Sequence, residues 1–139
     1  MKASVFYRIA SGLLLLFAAL HTFGFRQVDP EWGVGPLIHS MQSIRFDLMG
    51  SSRTYWELFV AFGLLFSVFL VFAAVLAWQL GGLPDQTLSR LRGTAWAFII
   101  CFAAVTIVCL RYAFILPIVF SILILFCLTA AAWLTSKRT

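Results

Sequence analysis

Apolar positions crowd into four long runs, approximately Ser4 to Phe23, Tyr55 to Gln79, Thr94 to Leu110 and Pro117 to Leu134, separated by stretches of glycine, proline and charge. A hydrocarbon layer about 30 Å thick needs a helix of roughly 20 mostly apolar residues, because a helix satisfies its own backbone polar groups where water is absent. The pattern therefore predicts an all-α integral membrane four-helix bundle, a single four-span transmembrane domain over residues 1–139. In the connector from Phe25 to Arg53, Leu37, Met41, Ile44 and Leu48 recur at spacings of four, three and four. That places them on one helical face, opposite His39, Gln42, Ser43 and Asp47. The spacing predicts a short amphipathic helix over Leu37 to Leu48, lying in the membrane interface or capping the bundle, with Trp32 as an interfacial anchor.

Local signals mark where the helices begin and end. Gly24 offers a stop for the first span. Thr54-Tyr55-Trp56-Glu57 has the form of a capping box, in which the Thr hydroxyl and the Glu carboxylate each satisfy the other's orphan amide. Gly81-Gly82-Leu83-Pro84-Asp85 reads as a helix end and a turn, with Asp85 as N-cap of a third helix that starts near Gln86 and carries Arg90 and Arg92 outside the lipid. Pro117 suits the opening of the fourth helix. Gly63 with Ser67, and Gly93 with Ala97 and Cys101, form small-residue faces at which a neighbouring helix can approach closely. Lys2 and Arg8 ahead of a leucine-rich core also fit a secretory signal. Ala18-Ala19-Leu20-His21 lacks its small-x-small cleavage site, however, and three further spans argue against an exported soluble product.

Composition sharpens this picture. With 63% apolar residues, 11% charged residues and a mean hydropathy of +1.01, the chain lies far from soluble usage. A net charge of +5 would suit nucleic acid, but the basic residues stand in ones and twos at span ends, without a stripe that tracks phosphates, so no nucleic-acid partner is expected. With the N-terminus inside, Lys2, Arg8, Arg90, Arg92, Lys137 and Arg138 face the cytoplasm, and Arg26, Arg45, Arg53 and Arg111 face out. The excess favours cytoplasmic N- and C-termini. Cys101, Cys109 and Cys127 lie within the last two spans, where a thiol behaves as a small hydrophobe; a disulfide there stays open, and no CxxC suggests zinc or dithiol chemistry.

The stretch from His21 to Glu57 holds four of the five carboxylates, both histidines and three arginines, so chemistry is sought there first. Antiparallel helix order puts His21, Glu57 and Arg111 at one level, where they could meet at the outer mouth of the bundle and hold an anionic headgroup or pass a proton. Arg53, His39 and Asp47 are the further ligand-binding candidates. The plainer reading is that Glu57 caps its helix, Arg111 snorkels and His21 bonds a loop carbonyl. Haem would need axial ligands on opposed faces, and His21 and His39 are not placed mid-span. His21, His39, Asp29 and Glu31 follow no recognised ligand spacing. Neither metal nor cofactor is expected.

Arg8-Ile9-Ala10-Ser11-Gly12, His21-Thr22-Phe23-Gly24, Ser52-Arg53-Thr54-Tyr55-Trp56-Glu57 and Trp78-Gln79-Leu80-Gly81-Gly82 resemble an uncharacterised family of four-span bacterial inner-membrane proteins catalogued from a leptospiral reading frame. The first span, with its early Arg, a Gly and a late His, is also similar to the broader DoxX-like four-helix membrane proteins, some of which serve as accessory subunits in redox or thiol homeostasis. The resemblance implies four spans in a bacterial inner membrane and brings no activity with it. The expected function is that of a non-catalytic accessory protein, or of a four-helix binder of a lipid-like or small apolar ligand. Its expected partners are membrane lipids, further copies of itself or another membrane protein. The alternative is a small membrane enzyme with His21 and Glu57 as an acid–base pair and Arg53 or Arg111 holding an anionic group. A channel ranks third, because the spans hold almost no polar residues at mid-membrane.

Overall fold

The computed structural model describes residues 2–136. In chain order, α1 (Ala3–Gly24) leads through a single 3-10 turn at Pro30–Trp32 to α2 (Gly35–Ser43). A hairpin of β1 (Arg45–Leu48) and β2 (Ser51–Thr54) follows, then α3 (Tyr55–Gly82), α4 (Asp85–Arg90), α5 (Arg92–Tyr112) and α6 (Ile115–Ser136). The fold is all-α apart from that hairpin, and α1, α3, α5 and α6 are long and apolar enough to cross a membrane. Each outruns its apolar stretch by up to three residues at an end, as expected when helix ends reach past the hydrocarbon. The chain gathers into two compact units, Ala18–Phe69 and the remainder, here the connector unit and the bundle unit.

The bundle unit joins the start of α1, the end of α3, and α4, α5 and α6. On α1, Ala3, Tyr7, Ala10, Leu14 and Phe17 form the buried face, at the three- and four-residue steps of a single helical stripe. On α3 Leu70, Ala73, Ala74, Ala77 and Leu80 are buried, and the three alanines are small enough for backbones to come close. Lipid is as apolar as the core, so close packing and interhelical hydrogen bonds, rather than escape from water, hold such helices together. Ser11 Oγ donates to the Ala74 carbonyl at 2.8 Å. A Cβ built on Gly81 would lie 3.1 Å from the Ser4 carbonyl oxygen and 3.3 Å from Tyr7 Cβ, so this glycine is what lets the two backbones meet. Phe17 stacks on Phe120 with centroids 5.2 Å apart, and Phe102, Ile124 and Leu128 complete the interior. Ile100, Ile107 and Phe126 are exposed on the outside, the apolar coat a membrane-spanning surface requires.

Three expectations for this unit are corrected. Asp85 is the first residue of α4 rather than its cap; Pro84 holds the cap position with no side-chain bond. The helix that starts there stops at Arg90, and Leu91 separates it from α5. Gly93 and Ala97 are exposed, and nothing lies within 4 Å of a Cβ at Gly93, so that small-residue stripe meets no neighbouring helix. Cys101, Cys109 and Cys127 are all free thiols. Lys137 and Arg138, used in the charge count, lie outside the described residues.

In the connector unit the amphipathic helix forms only in its first half. α2 ends at Ser43, and Ile44 to Leu48, expected on the same helical stripe, leads instead into β1. That strand pairs antiparallel with β2 in the register Arg45↔Thr54 to Leu48↔Ser51. Met49 (φ 50°) and Gly50 (φ 82°) both take positive φ, the requirement of a two-residue type I′ turn, whose twist matches that of the strands. Arg45, Phe46, Asp47 and Leu48 alternate polar with apolar as readily as they fit a helix, and tertiary pairing decides between the two periods.

Candidate functional site

Of the polar candidates in the connector unit, the side chains of Glu57, His21 and Arg53 have partners close by. The Thr54 N–H donates to Glu57 Oε2 at 2.9 Å and the Glu57 N–H to Thr54 Oγ1 at 3.1 Å, which is the expected capping box. Glu57 Oε1 also lies 3.7 Å from Arg45 Nη2. His21 Nε2 donates to the Gly63 carbonyl at 3.1 Å. Its ring stacks on Phe25 at 5.1 Å and meets Phe66 edge-on at 5.0 Å. One further turn along, Thr22 Oγ1 and Ser67 Oγ are 2.8 Å apart, and Ser67 Oγ reaches back to the same Gly63 carbonyl at 3.2 Å. Gly63 makes this possible, because any Cβ there would overlap the Phe25 ring. The Gly63/Ser67 pair thus receives the end of α1, and His21 bonds a helical carbonyl rather than one in a loop.

His21 and Glu57 share no hydrogen bond or ion pair. The six residues from Glu57 to Gly63, the residue His21 bonds, correspond to about 9 Å of helix rise. Arg53 is exposed, with a long 3.4 Å contact from Nη1 to the Ser52 carbonyl. His39 is exposed on α2, and its backbone carbonyl accepts from Ser43 Oγ at 2.8 Å. Asp47 is exposed on β1 opposite Ser52. Arg111 belongs to the bundle unit, where its guanidinium lies 5.8 Å from the Tyr112 ring centre. Among the described residues no three His, Cys, Asp or Glu side chains gather as a metal site would require.

Two concave features lie in the bundle unit. A cavity of about 240 Å³ is walled by the start of α1 (Tyr7), α4 (Leu88), the first turns of α5 (Arg92, Ala95, Trp96, Ile99) and the last turns of α6 (Thr129, Ala132, Trp133, Thr135, Ser136). Beside it runs an apolar groove of about 510 Å³ between Phe6 and the α6 residues Phe126, Thr129, Ala130, Trp133 and Leu134. Thr129 and Trp133 wall both. The groove falls within the roughly 300–1,000 Å³ of small-molecule sites and the cavity just below it. Arg92 brings a guanidinium to the cavity, and among the described residues no carboxylate lines it. Nearby on the same unit, Arg8 lies 5.0 Å from the Trp78 ring centre.

Sequence reasoning did not reach this cavity. Arg92 entered as a topology charge, and Tyr7, Trp96 and Trp133 carry no signal beyond that of aromatic residues near span ends. The wall is assembled from the start of α1, the α4–α5 region and the end of α6, so no single local spacing encodes it. No family model, curated protein or solved structure matches the chain.

Proposed function

We propose that the protein is a non-catalytic, multi-pass membrane protein that holds a lipid-like or small apolar ligand in the cavity and groove of its bundle unit. The observation that carries this reading is a partly polar cavity set beside an apolar groove, with Thr129 and Trp133 lining both. A lipid-like molecule has the same two-part chemistry. The small alanines at the cavity, Ala95 and Ala132, are where volume can be taken back. Ala95→Leu and Ala132→Leu should deplete lipid that copurifies with the protein while helicity is retained. Unchanged bound lipid in both variants would count against the reading.

The proposal includes a bacterial inner membrane with both termini in the cytoplasm. Its support is the resemblance of the chain and the six-to-four distribution of basic residues at span ends. In cells, a cysteine placed at Ser40 should react with an impermeant thiol reagent and one placed at Gln86 should not, in a background where Cys101, Cys109 and Cys127 are replaced by serine. The reverse pattern would invert the orientation.

A further inference from the structure

Consecutive residues of a helix point about 100° apart, and at the start of α1 this turns Phe6 to the apolar groove and Tyr7 to the cavity. Tyr7 is 2% exposed, yet its hydroxyl has no hydrogen-bond partner among the described residues. Every fully buried side-chain oxygen or nitrogen among those residues does have one. The phenol oxygen therefore reaches open space, on a side chain that lines the cavity. The other polar groups on the wall are differently placed. Thr129 Oγ1 donates to the Leu125 carbonyl at 2.8 Å and Thr135 Oγ1 to the Ala131 carbonyl at 2.9 Å, so their protons are committed to their own helix. Arg92, Trp133 and Ser136 already have interactions of their own. Trp96 is 60% exposed, so its indole N–H is not confined to the cavity.

A hydroxyl held among apolar groups without a partner costs free energy, and a ligand oxygen placed against it removes that cost. One neutral donor suits one neutral acceptor. An ionised head would need several donors or an available counter-charge to offset its desolvation, and Leu88, Ala95, Ile99 and Ala132 on the same wall supply neither. We infer that the cavity takes the polar end of an uncharged amphiphile, its carbonyl oxygen accepting from the Tyr7 hydroxyl and its hydrocarbon chain lying in the groove against Phe6, Phe126 and Leu134. This rests on the ligand-binding reading above and names the class of ligand. Thr129 and Trp133 line both spaces, so adjoining walls hold the two ends of one molecule.

The test uses the detergent-solubilised whole protein and three probes of similar length: methyl myristate with an isotope-labelled carbonyl, hexadecane, and sodium myristate. Bound probe is measured by mass spectrometry after gel filtration, against protein-free micelles. Wild-type protein should retain the ester in preference to the hydrocarbon and the carboxylate. The infrared stretch of the labelled carbonyl should fall below its frequency in empty micelles, because a hydrogen bond weakens the C=O bond. Tyr7→Phe keeps the buried ring and removes the donor. It should weaken ester retention about two- to tenfold, the scale of one neutral hydrogen bond, and return the stretch to its micelle value. The wild-type spectrum reads the bond directly even if Tyr7→Phe fails to fold. Undiminished retention in folded Tyr7→Phe, or an unshifted wild-type band, would overturn the Tyr7 contact and leave water as the partner of the hydroxyl. Preferential retention of myristate would overturn the uncharged head in favour of an anionic one. Equal retention of ester and hexadecane would remove the head assignment and leave the ligand-binding reading standing. Failure of folded wild-type protein to retain any of the three probes would remove both.

Discussion

The bundle unit and the connector unit share α1 and α3, yet they are held together differently. In the bundle unit a continuous set of side chains from four long helices is fully buried, and Tyr7, Leu14, Leu70, Phe102, Ile124 and Leu128 are its largest members. In the connector unit only Ala18, Thr54 and Ser67 are buried. Its order comes from directed contacts: the Thr54–Glu57 box, the hairpin ladder, the Thr22–Ser67 bond and the His21 contact with Gly63. Packing spreads its contribution over many atoms, whereas a few hydrogen bonds concentrate it. The two units should therefore respond to different kinds of substitution.

The largest contrast is expected between two phenylalanines. Phe102→Ala empties a fully buried site in the bundle unit and should cost about 3–5 kcal/mol. Phe62→Ala, on the exposed outer face of the connector unit's part of α3, should stay within about 0.5 kcal/mol. Reversible unfolding in mixed micelles measures both, and equal losses would erase the distinction. Two glycines come next. Gly81→Val meets a backbone oxygen at Ser4 that cannot turn aside, and should cost about 1–3 kcal/mol through overpacking. Gly63→Val meets the movable ring of Phe25, so the loss should be smaller and appear as faster hydrogen exchange around residues 21–25. A greater loss at Gly63 would reverse the assignment of rigid and yielding neighbours.

Smaller effects sharpen the account of the connector unit. Thr54→Ala removes an N-cap acceptor and should cost about 1 kcal/mol. Glu57→Gln keeps an oxygen for the Thr54 amide, loses the half-exposed ion pair with Arg45, and should cost less than about 1 kcal/mol. A larger loss for Glu57→Gln than for Thr54→Ala, in the same unfolding assay, would mean that the carboxylate's charge does more than cap. At the fully exposed tip, Met49 pays for a left-handed conformation that Asn accepts more readily. Met49→Asn should slow amide exchange at Leu48 and Ser51, consistent with about 0.5 kcal/mol of added hairpin stability; faster exchange would contradict the turn assignment.

How much of this was legible in the sequence follows from how local each feature is. Twenty apolar residues in a row leave the backbone little choice, so the four long helices were readable to within three residues at each end. The capping box was readable because Thr54 and Glu57 interact across three positions of one chain segment. The stripe of Leu37, Met41, Ile44 and Leu48 misled because a helix and an alternating strand can share the same apolar residues over so short a stretch, and Met49-Gly50 lacks the Asn or Asp that commonly announces a type I′ turn. The pairing of Ser11 with Ala74 and the cavity around Tyr7 and Arg92 join residues dozens of positions apart. Their sequence neighbours show only that each sits near a helix end or on a helical face.

Thr54 belongs at once to the last rung of the hairpin and to the cap of α3, and Tyr55 is already helical. No residue stands between strand and helix to serve as a swivel. With both backbone dihedrals on each side fixed by regular hydrogen bonding, the joint is a weld. The hairpin therefore acts as a crank handle on the shaft of α3: a ligand or partner that pulled Met49 sideways would apply torque to the first turn of the helix, and the bonds at Thr54 would transmit that torque before they broke.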